Sequence, residues 1–179
     1  MEEFIQFRKI PRLTRECTIT EKIDGTNGQI CILEDGVTML VGSRNRWITI
    51  ENDNYGFAKW AKDNEQELLK LGPGRHYGEW YGKGIQRGYG LTGRRFVIFN
   101  VSKWQDTTNL PSCVGLVPVL ATGMFDSGLI ETTLNNLKLT GSRISPGFMD
   151  VEGIVIHHKA SNYLFKKTVE HDEGKNERV

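Results

Sequence analysis

The residue with the clearest chemical potential is Lys22, which opens the pattern Lys-x-Asp-Gly inside the stretch TITEKIDGTNGQICI. A lysine amine attacks an electrophile only when it is neutral, and burial in a strand lowers the pKa of a lysine. Asp24 shares a face with Lys22 if the chain is extended, and Gly25 permits a sharp turn and the close approach of a ligand. The pattern alone also fits a plain hairpin with a solvated lysine.

Further candidates for chemistry are two glutamates and a pair of lysines. Glu79 lies among aromatic residues in HYGEWYG, and Glu152 begins the apolar run EGIVI. A carboxylate at the start of such a strand suits a metal or a ribose contact, although a simple turn would also place it there. Lys166 and Lys167 are adjacent in NYLFKKTV.

The apolar pattern places these residues on strands of an α+β domain. Alternation and β-branched residues predict eight strands, at 17–23, 29–34, 37–43, 75–81, 95–102, 113–120, 151–158 and 162–169. Helical spacing predicts a helix over 57–71, capped by Asp53 or Asn54 and stopped at 72–74, and a second helix over 127–138. The segment GKGIQRGYGLTG is predicted to be a loop. Most strands should pair in antiparallel fashion.

Composition and length favour one domain, over 1–169, followed by a polar tail at 170–179 that we expect to be disordered. The net charge of +1 does not by itself indicate a nucleic-acid partner. Three cysteines without a CxxC pattern argue against a zinc site. A charged N-terminus and the lack of a long apolar run predict a cytoplasmic protein without membrane contact, in the host cytoplasm if a phage encodes it.

Taken in order, the motifs resemble those of the covalent nucleotidyltransferases, which comprise the ATP-dependent DNA and RNA ligases and the mRNA capping guanylyltransferases. The order is Lys-x-Asp-Gly, Ser-Arg at 43–44, Gly-Glu at 78–79, the strand RFVIFNV, Glu-Gly at 152–153 and a final lysine strand. Glu21 directly before the lysine, and the wording EKIDGTNGQ, are most similar to the RNA ligase 2 group. The resemblance spans roughly 18–168 and implies an adenylyltransferase domain of antiparallel sheets flanked by helices, the ATP-grasp-like ligase core.

This resemblance implies an ATP-dependent RNA ligase reaction. Lys22 would take AMP from ATP, AMP would pass to an RNA 5′-phosphate, and an RNA 3′-hydroxyl would then displace AMP. The implied catalytic residues are Lys22, Asp24, Lys166 and Lys167. The implied nucleotide-binding residues are Glu21 at the adenine, Phe99 stacked on it in preference to Phe96, Arg44 and Glu79 at the ribose, and Ile23, Gly25 and Glu152. Mg²⁺ or Mn²⁺ is expected on Glu152 and Glu79.

A group of basic residues, interrupted by Tyr89, suits an RNA track but equally fits a solvated loop. It comprises Lys83, Arg87, Arg94 and Arg95 around the glycine-rich loop, and Arg46 is a further candidate for RNA as well as the alternative to Arg44 at the ribose.

Two departures from the family pattern stand out. Lysines 166 and 167 are adjacent, so they point to opposite faces of a strand, and either could be the phosphate ligand. The chain stops eleven residues after Thr168, so we expect no domain after the last strand. A partner protein could supply the RNA contacts of that domain. We also expect a monomer.

Three other functions remain open at this stage. A DNA ligase of the same superfamily shares the core motifs, and a capping guanylyltransferase would use GTP. A degenerate nucleotide-binding or end-binding module would bind ATP without forming a covalent adduct.

Overall fold

Two β-sheets form the body of the protein in this computed structural model, which describes residues 2–170 and 172. The strands are β1 Glu16–Lys22, β2 Thr26–Ile32, β3 Met39–Gly42, β4 Gly74–Gly82, β5 Arg94–Ile98, β6 Val114–Leu116, β7 Val119–Met124, β8 Gly153–His158 and β9 Tyr163–Thr168. The predicted polar tail lies outside the described residues except at its positions 170 and 172.

The first sheet, which we call sheet A, has the strand order β7-β1-β8-β9, and all of its neighbours are antiparallel. Sheet B has the order β3-β2-β4-β5-β6, and only its β5–β6 pair is parallel. The predicted α+β class with mostly antiparallel strands is therefore confirmed. The strand predicted over 113–120 is in fact two strands, β6 and β7, which belong to different sheets.

Three α-helices accompany the sheets in the described part of the chain: α1 Phe57–Asp63, α2 Glu65–Leu68 and α3 Ser127–Thr140. The single helix predicted over 57–71 is broken at Asn64, whose side chain donates to the Trp60 carbonyl and which has a φ of −111°. Gly56, not Asp53 or Asn54, stands at the N-cap position of α1. The Asp53 carboxylate still accepts from the Ala58 and Lys59 N–H groups, so it satisfies donors in the first turn from outside the cap position. No helix among the described residues is long and apolar enough to cross a bilayer.

The apolar residues form separate cores on the two sheets. Ile30, Phe57, Trp80 and Phe96 belong to the core between sheet B and α1. Ile19, Ile154 and Leu134 belong to the core between sheet A and α3. Because residues alternate between the faces of a strand, burying one face of β1 under α3 leaves Lys22 on the other face.

Candidate active site

A cavity of about 320 Å³ lies where β1 passes into β2, a volume typical of a small-ligand pocket. Both sheets contribute to it, since Lys22 ends β1 in sheet A and Glu79 lies in β4 of sheet B. The lining residues are Lys22, Asp24, Gly25, Thr26, Asn27, Arg44 and Glu79. Five residues with predicted roles in catalysis or nucleotide binding therefore meet at one cavity: Lys22, Asp24, Gly25, Arg44 and Glu79.

The Lys22 amine contacts a carboxylate from the far end of the chain. Its Nζ lies 2.6 Å from Glu152 Oε1, and the two side chains are 24% and 17% exposed. The antiparallel register of β1 and β8 pairs Lys22 with Gly153, which places Glu152 beside the lysine. The other oxygen, Glu152 Oε2, is buried and has no hydrogen-bond partner among the described residues. A buried acceptor without a donor is costly, so this atom is suited to a ligand.

Glu79 also lines the cavity and belongs to a chain of side-chain hydrogen bonds. Arg44 Nε donates to Asn27 Oδ1 at 2.8 Å, and Asn27 Nδ2 donates to Glu79 Oε2 at 3.1 Å. Burial raises the pKa of Glu79 to about 7, the nearby Lys22 charge opposes that rise, and the Glu152 charge adds to it. The cavity thus holds one carboxyl that titrates close to neutral pH.

The glycine-rich loop after β4 holds Asp24. Arg87 Nε donates to Asp24 Oδ2 at 3.0 Å, and Arg87 Nη1 also donates to Asp150. The Asp24 N–H donates to the Tyr89 hydroxyl at 2.8 Å, and Tyr89 itself is buried. The segment that carries Lys22 is therefore fixed on its C-terminal side by two residues that lie more than sixty positions away.

Two glycines in the motifs are required by close backbone approach. A Cβ at Gly25 would lie 2.5 Å from the Trp80 carbonyl oxygen and 2.9 Å from Tyr81 Cβ. A Cβ at Gly153 would lie 2.3 Å from the Lys167 carbonyl oxygen. Any larger residue would push apart the strands that bring Lys22, Glu79 and Glu152 together.

Glu21 is placed differently from the sequence-based expectation. Its side chain is 2% exposed and accepts hydrogen bonds from Ser142 Oγ at 2.6 Å and from the N–H groups of Arg143 and Ile144. Both carboxylate oxygens therefore hold the turn after α3, and the side chain does not line the cavity. The structure therefore gives this side chain a structural role, and its predicted contact with adenine stays a prediction.

The register of β8 and β9 separates the two adjacent lysines. Lys166 pairs with Val155, on the same face of sheet A as Lys22, whereas Lys167 pairs with Ile154, on the face covered by α3. The Lys167 amine lies 3.2 Å from both Glu131 and Asp172, and hydrogen bonds to these carboxylates raise its pKa. The expectation that Lys167 contacts a phosphate at this site is thus corrected, and Lys166 remains the candidate.

Three apolar predictions have different outcomes in the structure. Phe96 is 1% exposed in the sheet B core, while Phe99 is 41% exposed just after β5, where its N–H donates to the Tyr77 carbonyl. Phe99 is therefore the phenylalanine available for stacking. The Ile23 side chain is buried against Tyr81 and does not line the cavity, so any contact of Ile23 with the nucleotide stays a prediction.

The predicted RNA track does not form one surface. Arg87 is bound to the carboxylates of Asp24 and Asp150, and its contact with RNA stays a prediction. Arg46 donates to the Asn52 carbonyl, and Arg95 is exposed on β5. Lys83 and Arg94 line a separate cavity beside α1.

The donor set suits a divalent cation that is bound largely by phosphate and water. No group of three or more His, Cys, Asp or Glu side chains in the described part of the chain could enclose a metal ion. Mg²⁺ commonly uses only one or two carboxylates together with substrate phosphates. The orphaned Glu152 Oε2 and the Glu79 carboxyl fit that description.

Sequence reasoning missed several residues at this site. Asn27 links Arg44 to Glu79, and its position two residues after Gly25 on β2 was a usable signal because alternate residues share a face. Asp150 and Ser142 had no such signal, because they reach Arg87 and Glu21 from distant loops, and Tyr89 was noted only as an aromatic residue among the basic ones.

Comparison with known proteins identifies the family. The family model described as RNA ligase matches residues 15–169, so the chain belongs to the RNA ligase family. A search of curated proteins finds no match.

Similar solved structures include two mutants of a Naegleria gruberi RNA ligase, one with ATP and Mn (19% identity, TM-score 0.62) and one with AMP and Mn (19% identity, TM-score 0.63). Each alignment covers 87% of this chain and 50% of the other chain, so this chain spans about half the length of the structures it matches. At this identity the likeness establishes a shared fold.

Proposed function

We propose that this domain is an ATP-dependent RNA ligase in which Lys22 forms a covalent adduct with AMP. The observation that carries the proposal is the Lys22 amine 2.6 Å from Glu152, at a cavity of about 320 Å³ that Glu79 also lines. The RNA ligase family match and the fold shared with ligase structures that contain ATP or AMP support it.

In the first step the Lys22 nitrogen attacks the α-phosphorus of ATP. A phosphorus–nitrogen bond forms, the bond to the bridging oxygen of pyrophosphate breaks, and the amine loses a proton. Arg87 and Tyr89 orient the Lys22 segment through Asp24, which reduces the motion that must be lost before attack. Lys166, on the same face of sheet A, provides a positive charge for the phosphates.

The nucleoside would lie in the cavity that Lys22, Arg44 and Glu79 line. Arg44 and Asn27 face the same side as Glu79 and supply donors for ribose hydroxyls, and the exposed Phe99 supplies a ring for stacking on adenine. Mg²⁺ or Mn²⁺ would be held by Glu152 with Glu79, and it would neutralise charge on the phosphates.

In the later steps AMP passes to the 5′-phosphate of an RNA strand, and a 3′-hydroxyl then displaces AMP to seal the strand. Both steps are in-line phosphoryl transfers that reuse the same cations. RNA is proposed as the substrate on the strength of the family, and a parallel assay on nicked DNA would compare the two polymers.

The test is incubation with ATP labelled at its α-phosphate and Mg²⁺, followed by a denaturing gel. The wild type should carry the label, Lys22→Ala should carry none, and the control Lys70→Ala should match the wild type because Lys70 is exposed and pairs only with Glu67. Folded wild-type protein without label would refute the covalent mechanism and favour a binding module.

A further inference from the structure

A second cavity, of about 460 Å³, lies beside α1 on the opposite face of sheet B from Glu79. We call it the α1 groove. Its helix side consists of Lys59, Trp60 and Asp63, which share one face of α1 by their three- and four-residue spacing. Its sheet side includes Trp80 and the basic residues Lys83 and Arg94.

The α1 groove carries an excess of positive charge. Lys59 is paired with Asp63 at 2.8 Å, which leaves Lys83 and Arg94 without a carboxylate partner among the described residues. Arg94 donates from Nε to the Lys83 carbonyl at 2.9 Å and from Nη1 to the Tyr55 carbonyl at 2.6 Å. Lys83 Nζ is exposed and has no hydrogen-bond or ion-pair partner within residues 2–170 and 172.

The aromatic residues of the α1 groove are held rigidly. Trp60 stacks on Phe57 with a ring separation of 5.6 Å and an interplanar angle of 14°, and it contacts Trp80 at 5.1 Å. Trp80 Nε1 donates to the same Tyr55 carbonyl that anchors Arg94. Trp60 is only partly buried, so part of the indole remains accessible at the groove.

We propose that the α1 groove binds a phosphate and an adjoining base of single-stranded RNA, at a site separate from the Lys22 cavity. The anchored Arg94 guanidinium and the exposed Lys83 amine, beside an accessible indole, match the way that proteins bind single strands, by phosphate contacts and base stacking. The inference rests on the proposed function, because it gives the RNA substrate a second point of attachment on the other face of sheet B.

The test measures binding of a fluorescent single-stranded RNA as a function of salt, without ATP. Lys83→Ala should weaken binding severalfold and should reduce the slope of log K against log salt by about 0.7, the value for one phosphate contact on a single strand. The matched control is Lys62→Ala, which also removes one exposed charge near α1 but pairs with Glu65 and does not line the groove. A thermal melting curve of each variant should show a cooperative transition, which checks that both variants are folded.

Equal salt slopes for Lys83→Ala, Lys62→Ala and wild type would overturn the inference. The inference would also be overturned if Lys83→Ala weakened binding of an acidic peptide but not of RNA. The groove would then serve a protein partner. A second variant, Trp60→Leu, should weaken RNA binding without changing the salt slope if the indole stacks on a base. Because ATP is absent, failure here is distinguishable from failure of the labelling test with Lys22.

Discussion

The raised pKa of Glu79 makes a quantitative prediction about stability and pH. Its pKa is about 7 in the folded protein against an ordinary value of 4.5. Between those values the folded state holds a proton that the unfolded state has released. The contribution of Glu79 to the free energy of unfolding is therefore fully present below pH 4.5 and is lost as the pH rises through 7.

The magnitude follows from these two pKa values. One pKa unit corresponds to about 1.4 kcal/mol. Integration from pH 5 to pH 8 gives a loss of about 2.5 kcal/mol in the free energy of unfolding from Glu79 alone. For a domain of this size, such a loss lowers the melting temperature by about 5–10 °C.

The assay is urea denaturation of the ligand-free protein from pH 5 to pH 8, with wild type compared with Glu79→Gln. Glutamine mimics the protonated carboxyl, so the variant should lose the Glu79 contribution to the pH dependence and should be the more stable protein at pH 8. Glu34→Gln, in an exposed turn, is the control and should retain the wild-type profile. The same pH dependence in Glu79→Gln and wild type would refute the reasoning about burial.

Two further predictions concern Ser142 and the lysine pair. Ser142→Ala removes one donor from the buried Glu21 carboxylate and should lower the free energy of unfolding by about 2 kcal/mol, a drop of about 4–8 °C in melting temperature. The control Thr140→Ala, on the exposed part of α3, should change the melting temperature little. Equal melting temperatures for the two variants would contradict the anchoring role of Glu21. Lys166→Ala should slow labelling of the protein by α-labelled ATP at least tenfold more than Lys167→Ala does, because of the two lysines only Lys166 lies on the same face of sheet A as Lys22. A larger effect of Lys167→Ala would show that the assignment of the two lysines to faces is wrong.

The sequence by itself determined the family resemblance and the strand positions of the motifs. The motifs are local patterns: Lys-x-Asp-Gly, Gly-Glu and Glu-Gly. Their order along the chain indicates a nucleotidyltransferase without any knowledge of tertiary contacts. The predicted strands over 75–81 and 151–158 agree with β4 and β8 within two residues, because alternation and turn residues act locally.

Only the tertiary structure decided which of the predicted side chains meet. Lys166 faces Lys22 and Lys167 does not because the β8–β9 register sets the faces, and a shift by one residue would exchange them. Glu21 holds the turn after α3 and Arg87 holds Asp24, contacts that were not predicted from the sequence. Those partners lie more than sixty residues away in sequence, so their meeting depends on how the two sheets and their loops pack, which no local pattern encodes.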